Sequence, residues 1–68
     1  MKNMSEFYND ILNQLAISSP ELKEEFENQL SKTQDKKEIF LWLQKKTDSG
    51  DMPKEMEPII TDFFYSIH

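Results

Sequence analysis

The 68-residue chain contains no cysteine and no arginine, and it has only one glycine. Without cysteine there is neither a disulfide nor a thiolate metal ligand, so helix packing, capping or self-association must stabilise this small domain. Without arginine the chain lacks the side chain best suited to bidentate contacts with phosphate or guanine. A single glycine also excludes a glycine-rich phosphate-binding loop. These absences argue against nucleotide binding and against sequence-specific DNA recognition.

Long hydrophobic runs are missing as well. After Met1 and Lys2 the chain continues into polar and charged residues, without the apolar region of a signal peptide. No stretch approaches the roughly 18 apolar residues that a membrane span needs. The lack of cysteine fits a reducing compartment. We therefore expect a cytoplasmic protein that does not enter a membrane, and the frequent Lys, Asn and Ile suit an AT-rich bacterial or phage genome.

Charge is unevenly distributed along the chain, whose formal net charge is −5. Residues 1–31 carry two Lys and six acids, residues 32–46 carry five Lys and two acids, and residues 47–68 carry one Lys and five acids, which gives −4, +3 and −4. The acidic total argues against a general nucleic-acid binder, because phosphate contacts are made mainly by clustered basic residues. A basic central segment lies between two acidic ones.

Apolar residues recur at helical spacing in the N-terminal half. The first predicted helix has Ser5 as its N-cap and ends near Ile17 or Ser18, because Pro20 disfavours helical geometry in the residue before it. Its apolar stripe comprises Met4, Phe7, Tyr8, Ile11, Leu12 and Leu15. A second helix restarts with Ser19 as N-cap and Pro20 at its first position, or with Ser18 as N-cap and Glu21 in a capping box. Its stripe is narrow, comprising Leu22, Phe26 and Leu30.

Residues Ile39 to Leu43 form an unbroken apolar block that contains the only Trp. The block can be read as a strand buried on both faces or as part of a helix from Asp35 to about Lys46, opened by a capping box of Asp35 and Glu38. We favour the helix, because no other segment alternates and a lone strand leaves its backbone groups unsatisfied.

The C-terminal part is predicted to hold a loop and a last helix. Thr47 to Asp51 is polar and contains the only glycine, which can end a helix in left-handed geometry. Either a helical turn over 53–57 precedes a break, or the main helix begins close enough to Pro58 to hold it in the first turn. The apolar residues that follow at helical spacing are Ile59, Ile60, Phe63, Phe64 and Ile67. The sequence thus predicts one all-α domain over residues 1–68, a small bundle of three long helices plus a short helical element.

Catalytic and metal-binding patterns are weak. The only histidine is His68, the last residue, and each Ser lies in a polar or capping context, without the pattern of a nucleophile elbow. The stretch Asp48 to Asp51 is too short for a calcium loop. Four acids of the second helix lie opposite its apolar stripe and point outward, namely Glu21, Glu24, Glu25 and Glu27. We therefore expect no enzymatic activity, no metal site and no cofactor.

The apolar block is the strongest functional signal. Ile39, Phe40 and Leu43 share one helix face and form the predicted core set, whereas Leu41 and Trp42 are rotated about 100 to 200 degrees away from parts of that set. The flanking basic residues are Lys36, Lys37, Lys45 and Lys46. An apolar anchor with a polar rim is the composition of many interface centres. The alternative is a central helix that its neighbours bury on all sides.

Three functions are compatible with these patterns. The first is a protein interaction module, such as a small regulator, adaptor, immunity protein or inhibitor, which docks or dimerises through Leu41, Trp42, Lys45 and Tyr65. The second is an acidic inhibitor that imitates phosphate spacing with Glu21, Glu24, Glu25 and Glu27 and blocks a nucleic-acid-binding protein. The third is an assembly subunit that needs oligomerisation to fold. In each case the partner is a protein, with no direct contact to nucleic acid or membrane.

Overall fold

The computed structural model describes residues 3–67, and every regular element in that range is helical. Four α-helices follow one another as α1 (Met4–Ser18), α2 (Pro20–Lys32), α3 (Lys36–Asp48) and α4 (Glu57–Ile67), with a 3₁₀ turn at Lys54–Met56 before α4. The prediction of a small all-α bundle is confirmed, and the apolar block lies on a helix as favoured.

The start of α1 differs from the prediction. Asn3, not Ser5, is the N-cap, and its side-chain oxygen accepts a hydrogen bond of 2.9 Å from the backbone N–H of Glu6. Asparagine is as good an N-cap as serine, and the earlier start brings Met4 into the helix. Met4 is then half-buried against the core, so packing favours the longer helix.

The turn from α1 to α2 is made by one residue. Ser19 is extended, its backbone N–H donates to the carbonyl of Leu15 at 2.8 Å, and its hydroxyl accepts from the N–H of Leu22 at 3.4 Å. It therefore ends α1 and caps α2 at once. Pro20 occupies the start of α2 as predicted, where its missing N–H removes no helical bond.

Helix α3 is bounded by local polar contacts. The Asp35 carboxylate accepts from the N–H of Lys37 at 3.1 Å, while the N–H of Asp35 donates to the Thr33 hydroxyl at 3.1 Å. The predicted capping box with Glu38 is therefore wrong, because Thr33 already occupies the donor that Glu38 would need. At the other end Gly50 has a φ of 82°, and the N–H of Asp51 donates to the carbonyl of Lys46. The left-handed glycine ends the helix as expected.

The core is apolar and rich in aromatic contacts. Helix α1 packs against α2, α4 and the 3₁₀ turn, and α3 packs against α4. Tyr8 lies edge-on to Phe26 and to Phe63, with ring centroids 6.2 and 5.9 Å apart. Within residues 3–67 no polar or charged residue is buried, and the buried set is Phe7, Tyr8, Ile11, Leu15, Leu22, Phe26, Ile39, Leu43, Met56 and Phe63.

Tyr8 also positions the entry to α3. Its hydroxyl donates to the carbonyl of Gln34 at 3.0 Å, which ties α1 to the loop that precedes the cap residue Asp35. Burial raises the pKa of the Tyr8 hydroxyl above its ordinary value, and the negative charge of Asp35 adds to the increase. The neutral, hydrogen-bonded phenol is thus the form that the fold favours.

The C-terminal segment combines the two predicted alternatives, a short helical turn and a main helix that holds Pro58 in its first turn. Pro53 precedes the 3₁₀ turn, and Pro58 is the second residue of α4, where a proline is tolerated. Met56, which is not part of the predicted apolar stripes, is fully buried. It precedes Ile60 by four residues and Phe63 by seven, so its spacing in the sequence matches the apolar stripe of α4.

We expect Met56→Ala to lower the free energy of unfolding by about 2–5 kcal/mol, because it opens a cavity at a fully buried position. Met52→Ala is the matched control: Met52 is only half-buried at the core edge, so its loss is smaller. Urea denaturation followed by circular dichroism measures both. Equal losses would contradict the central position of Met56.

Candidate functional site

The five residues of the apolar block are distributed around α3. Ile39 and Leu43 are fully buried, Phe40 and Trp42 are half-buried, and Leu41 remains 62% exposed. Successive residues of a helix are about 100° apart, so one core face cannot take all five. The predicted core set is confirmed in Ile39 and Leu43, while Phe40 lies at the edge.

Trp42 is held on one side by α2. Its ring centroid lies 5.5 Å from that of Phe26, with the planes tilted by 44°. The Nζ atom of Lys46 lies 5.8 Å from the centroid of the Trp42 ring and 2.9 Å from Oε1 of Glu25 on α2. The hydrogen bond to Glu25 raises the pKa of the Lys46 ammonium group, partial desolvation opposes that increase, and the charges of Glu25 and Asp51 add to it. Lys46 is therefore engaged in joining the two helices.

A shallow, open groove of about 450 Å³ lies beside Trp42, between α2 and α3. Three of the four predicted binding residues, Leu41, Trp42 and Lys45, lie together on its wall. We call it the α2–α3 groove, and its lining residues are Gln29, Lys32, Thr33, Glu38, Leu41, Trp42 and Lys45. Lys32 was not assigned to the site, although it belongs to the basic segment of residues 32–46.

The fourth predicted residue, Tyr65, lies elsewhere. A second depression, of about 580 Å³, lies at the surface where α3 and α4 meet and is lined by Lys37, Phe40, Leu41, Gln44, Phe64 and Ile67. The Phe64 ring lies 5.2 Å from Phe40 and 5.8 Å from Tyr65, which is 71% exposed. Tyr65 does not line the α2–α3 groove. Leu41 is the residue that borders both depressions.

The acidic face of α2 is partly neutralised. Glu25 pairs with Lys46, and Glu27 pairs with Lys23 one turn earlier, at 3.4 Å between Nζ and Oε1. Glu21 and Glu24 are exposed on the same helix. Two of the four acids in this cluster therefore form ion pairs with lysines of this chain.

Within residues 3–67, no three acidic or histidine side chains converge closely enough to hold a metal ion. His68, the only histidine of the sequence, lies outside the described residues. None of the helices in the described range combines the length and the apolar character that crossing a lipid bilayer requires.

The chain matches no known family model, and no curated protein or solved structure is significantly similar to it. A function can therefore be proposed only from the surface of this molecule.

We expect Leu41→Ala to change the free energy of unfolding by no more than about 0.5 kcal/mol, because that side chain contributes little to the core. Leu43→Ala is the matched substitution two residues along the same helix. It removes a fully buried side chain and should cost about 2–5 kcal/mol. Urea denaturation of both variants measures the difference. A comparable loss for Leu41→Ala would assign Leu41 to the core.

Proposed function

We propose that this chain is a non-enzymatic protein interaction module that binds another protein through the part of α3 that carries Leu41 and Trp42. The observation that supports this function best is the position of Leu41, an exposed leucine that borders two depressions at once. A single exposed leucine needs no explanation. An exposed leucine between two aromatic-lined depressions, with lysines at their edges, matches the apolar centre and polar rim of an interface.

Trp42 is suited to act as an anchor in this surface. Tryptophan is enriched among the residues that dominate binding energies at interfaces. Because Phe26 and Lys46 pack against its ring, its orientation is already restricted before any partner arrives. A restricted side chain loses less conformational entropy on binding, so a partner would gain more from the same contact.

The small size and the absence of a recognisable catalytic pattern fit a regulator, adaptor, immunity protein or inhibitor. Such proteins act by occupying a surface and need no chemistry of their own. We assign this role to the cytoplasm, because a chain without cysteine suits a reducing compartment.

The acidic inhibitor is the alternative function. It would use the exposed carboxylates of α2, of which Glu21 and Glu24 form no ion pair with any described residue. It has less support, because Glu25 and Glu27 already pair with lysines of this chain. Its affinity for a basic partner would fall steeply with salt, whereas an apolar anchor at Leu41 would be less sensitive.

A capture experiment with the tagged chain in a lysate of the source organism tests the proposal. We expect Leu41→Asp to lose the captured protein, since loss of an interface anchor costs about 2 kcal/mol or more, roughly 30-fold in Kd. Ile17→Asp is the matched control, because Ile17 is an aliphatic residue of α1 that is 81% exposed and lines neither depression.

Circular dichroism must show both variants folded. The proposed surface would be contradicted if Leu41→Asp still captured the protein, or if Ile17→Asp lost it instead. If the double variant Glu21→Gln and Glu24→Gln lost the captured protein while Leu41→Asp still bound it, the acidic inhibitor would be favoured.

A further inference from the structure

We infer that the α2–α3 groove binds an acidic amphipathic helix of a different protein, with the apolar residues of that helix on Leu41 and Trp42 and its carboxylates toward Lys32 and Lys45. This inference rests on the proposed function and adds the chemistry of the partner.

The charges of the groove carry the inference. Lys32 comes from the last turn of α2 and Lys45 from the last turn of α3, so the groove has a lysine from each of the helices that form it. Neither forms an ion pair with any residue of the described range. Lys46, one residue further, is by contrast paired with Glu25. Glu38 is the one acid among the lining residues, which leaves an excess of positive charge.

The apolar residues specify the rest of the partner. Leu41 and Trp42 line the same groove as the two lysines, so a ligand must offer apolar and acidic side chains together. A helix does this when apolar residues recur every three or four positions and acids flank them. An added strand would need an exposed sheet edge, and residues 3–67 contain no strand.

A second copy of this chain satisfies the charges of the groove only in part. An antiparallel two-fold pairing of α3 centred between Leu41 and Trp42 would set Lys45 of each copy opposite Glu38 of the other, but it offers no acidic residue of the groove to Lys32. Helix α2 carries the acids, but its apolar residues Leu22 and Phe26 are buried in its own core. Helix α2 therefore cannot offer an apolar face together with its acids to a second copy.

Two synthetic helical peptides test the inference. They share leucines at every third or fourth position and contain no tryptophan, and they differ only in carrying Glu or Lys at the flanking positions. Trp42, the only tryptophan of the chain, then reports binding by its fluorescence. At low salt we expect the acidic peptide to bind at least about tenfold more tightly than the basic one, and added salt to reduce the difference.

Charge reversal sharpens the test. Lys32→Glu combined with Lys45→Glu should invert the preference, so that the basic peptide binds more tightly. Lys23→Glu combined with Lys54→Glu changes the net charge equally at positions outside the groove and should keep the preference for the acidic peptide. Binding of neither peptide, equal binding of both, or inversion by the control pair would overturn the inference.

The outcomes separate this inference from the proposed function. If Leu41→Asp abolishes capture of the lysate protein but the reversal of Lys32 and Lys45 does not weaken it, the interaction module stands and the acidic partner is wrong. If sedimentation equilibrium shows a dimer that both Leu41→Asp and the reversal of Lys32 and Lys45 dissociate, the groove is occupied by a second copy, which also overturns the inference. If Leu41→Asp leaves capture unchanged, the proposed function itself fails.

Discussion

The geometry of α3 constrains the whole surface of this protein. Five consecutive apolar residues point around the entire helix, and a core can accept only one of its faces. Ile39 and Leu43 take that face and are fully buried. Phe40 and Trp42 are left at the two edges, against α4 and α2, and Leu41 projects between them. The exposed leucine is thus a direct consequence of the block, given that α3 has neighbours on only part of its circumference.

The contact between α2 and α3 determines the shape of the candidate site. Helix α2 has a narrow apolar stripe, and its Phe26 contacts both the core and Trp42. The Glu25–Lys46 ion pair joins the same two helices at the surface. Such an exposed pair adds little stability by itself, but it neutralises Lys46 beside the Trp42 ring. Lys32 and Lys45 form no ion pair within residues 3–67, and with Glu38 as the one acid of the lining the groove keeps one net positive charge.

The sequence predicted local features well and long-range ones poorly. Ser19 with Pro20, Gly50 and the burial of Ile39 and Leu43 follow from capping, turn and helical spacing rules, which depend on neighbouring residues only. The N-cap Asn3 was missed because Ser5 is an equally good local cap candidate, and Met56 was missed because the flanking prolines obscured the helical spacing that joins it to Ile60 and Phe63. Lys45 and Lys46 look equivalent in sequence, and only the approach of Glu25 from α2 distinguishes them. Tyr65 was grouped with Trp42 by composition, but it lies beside the depression between α3 and α4.

The central claim is that the exposed side of α3 is covered by another protein. Photo-crosslinking tests it most directly, with a photoreactive amino acid placed at position 41 or, as the control, at position 17 on α1. Both positions are exposed, so unspecific collisions should label them alike. We predict a discrete crosslinked species from position 41 and none from position 17. A species formed from position 17 alone, or equal labelling at the two positions, would contradict the claim.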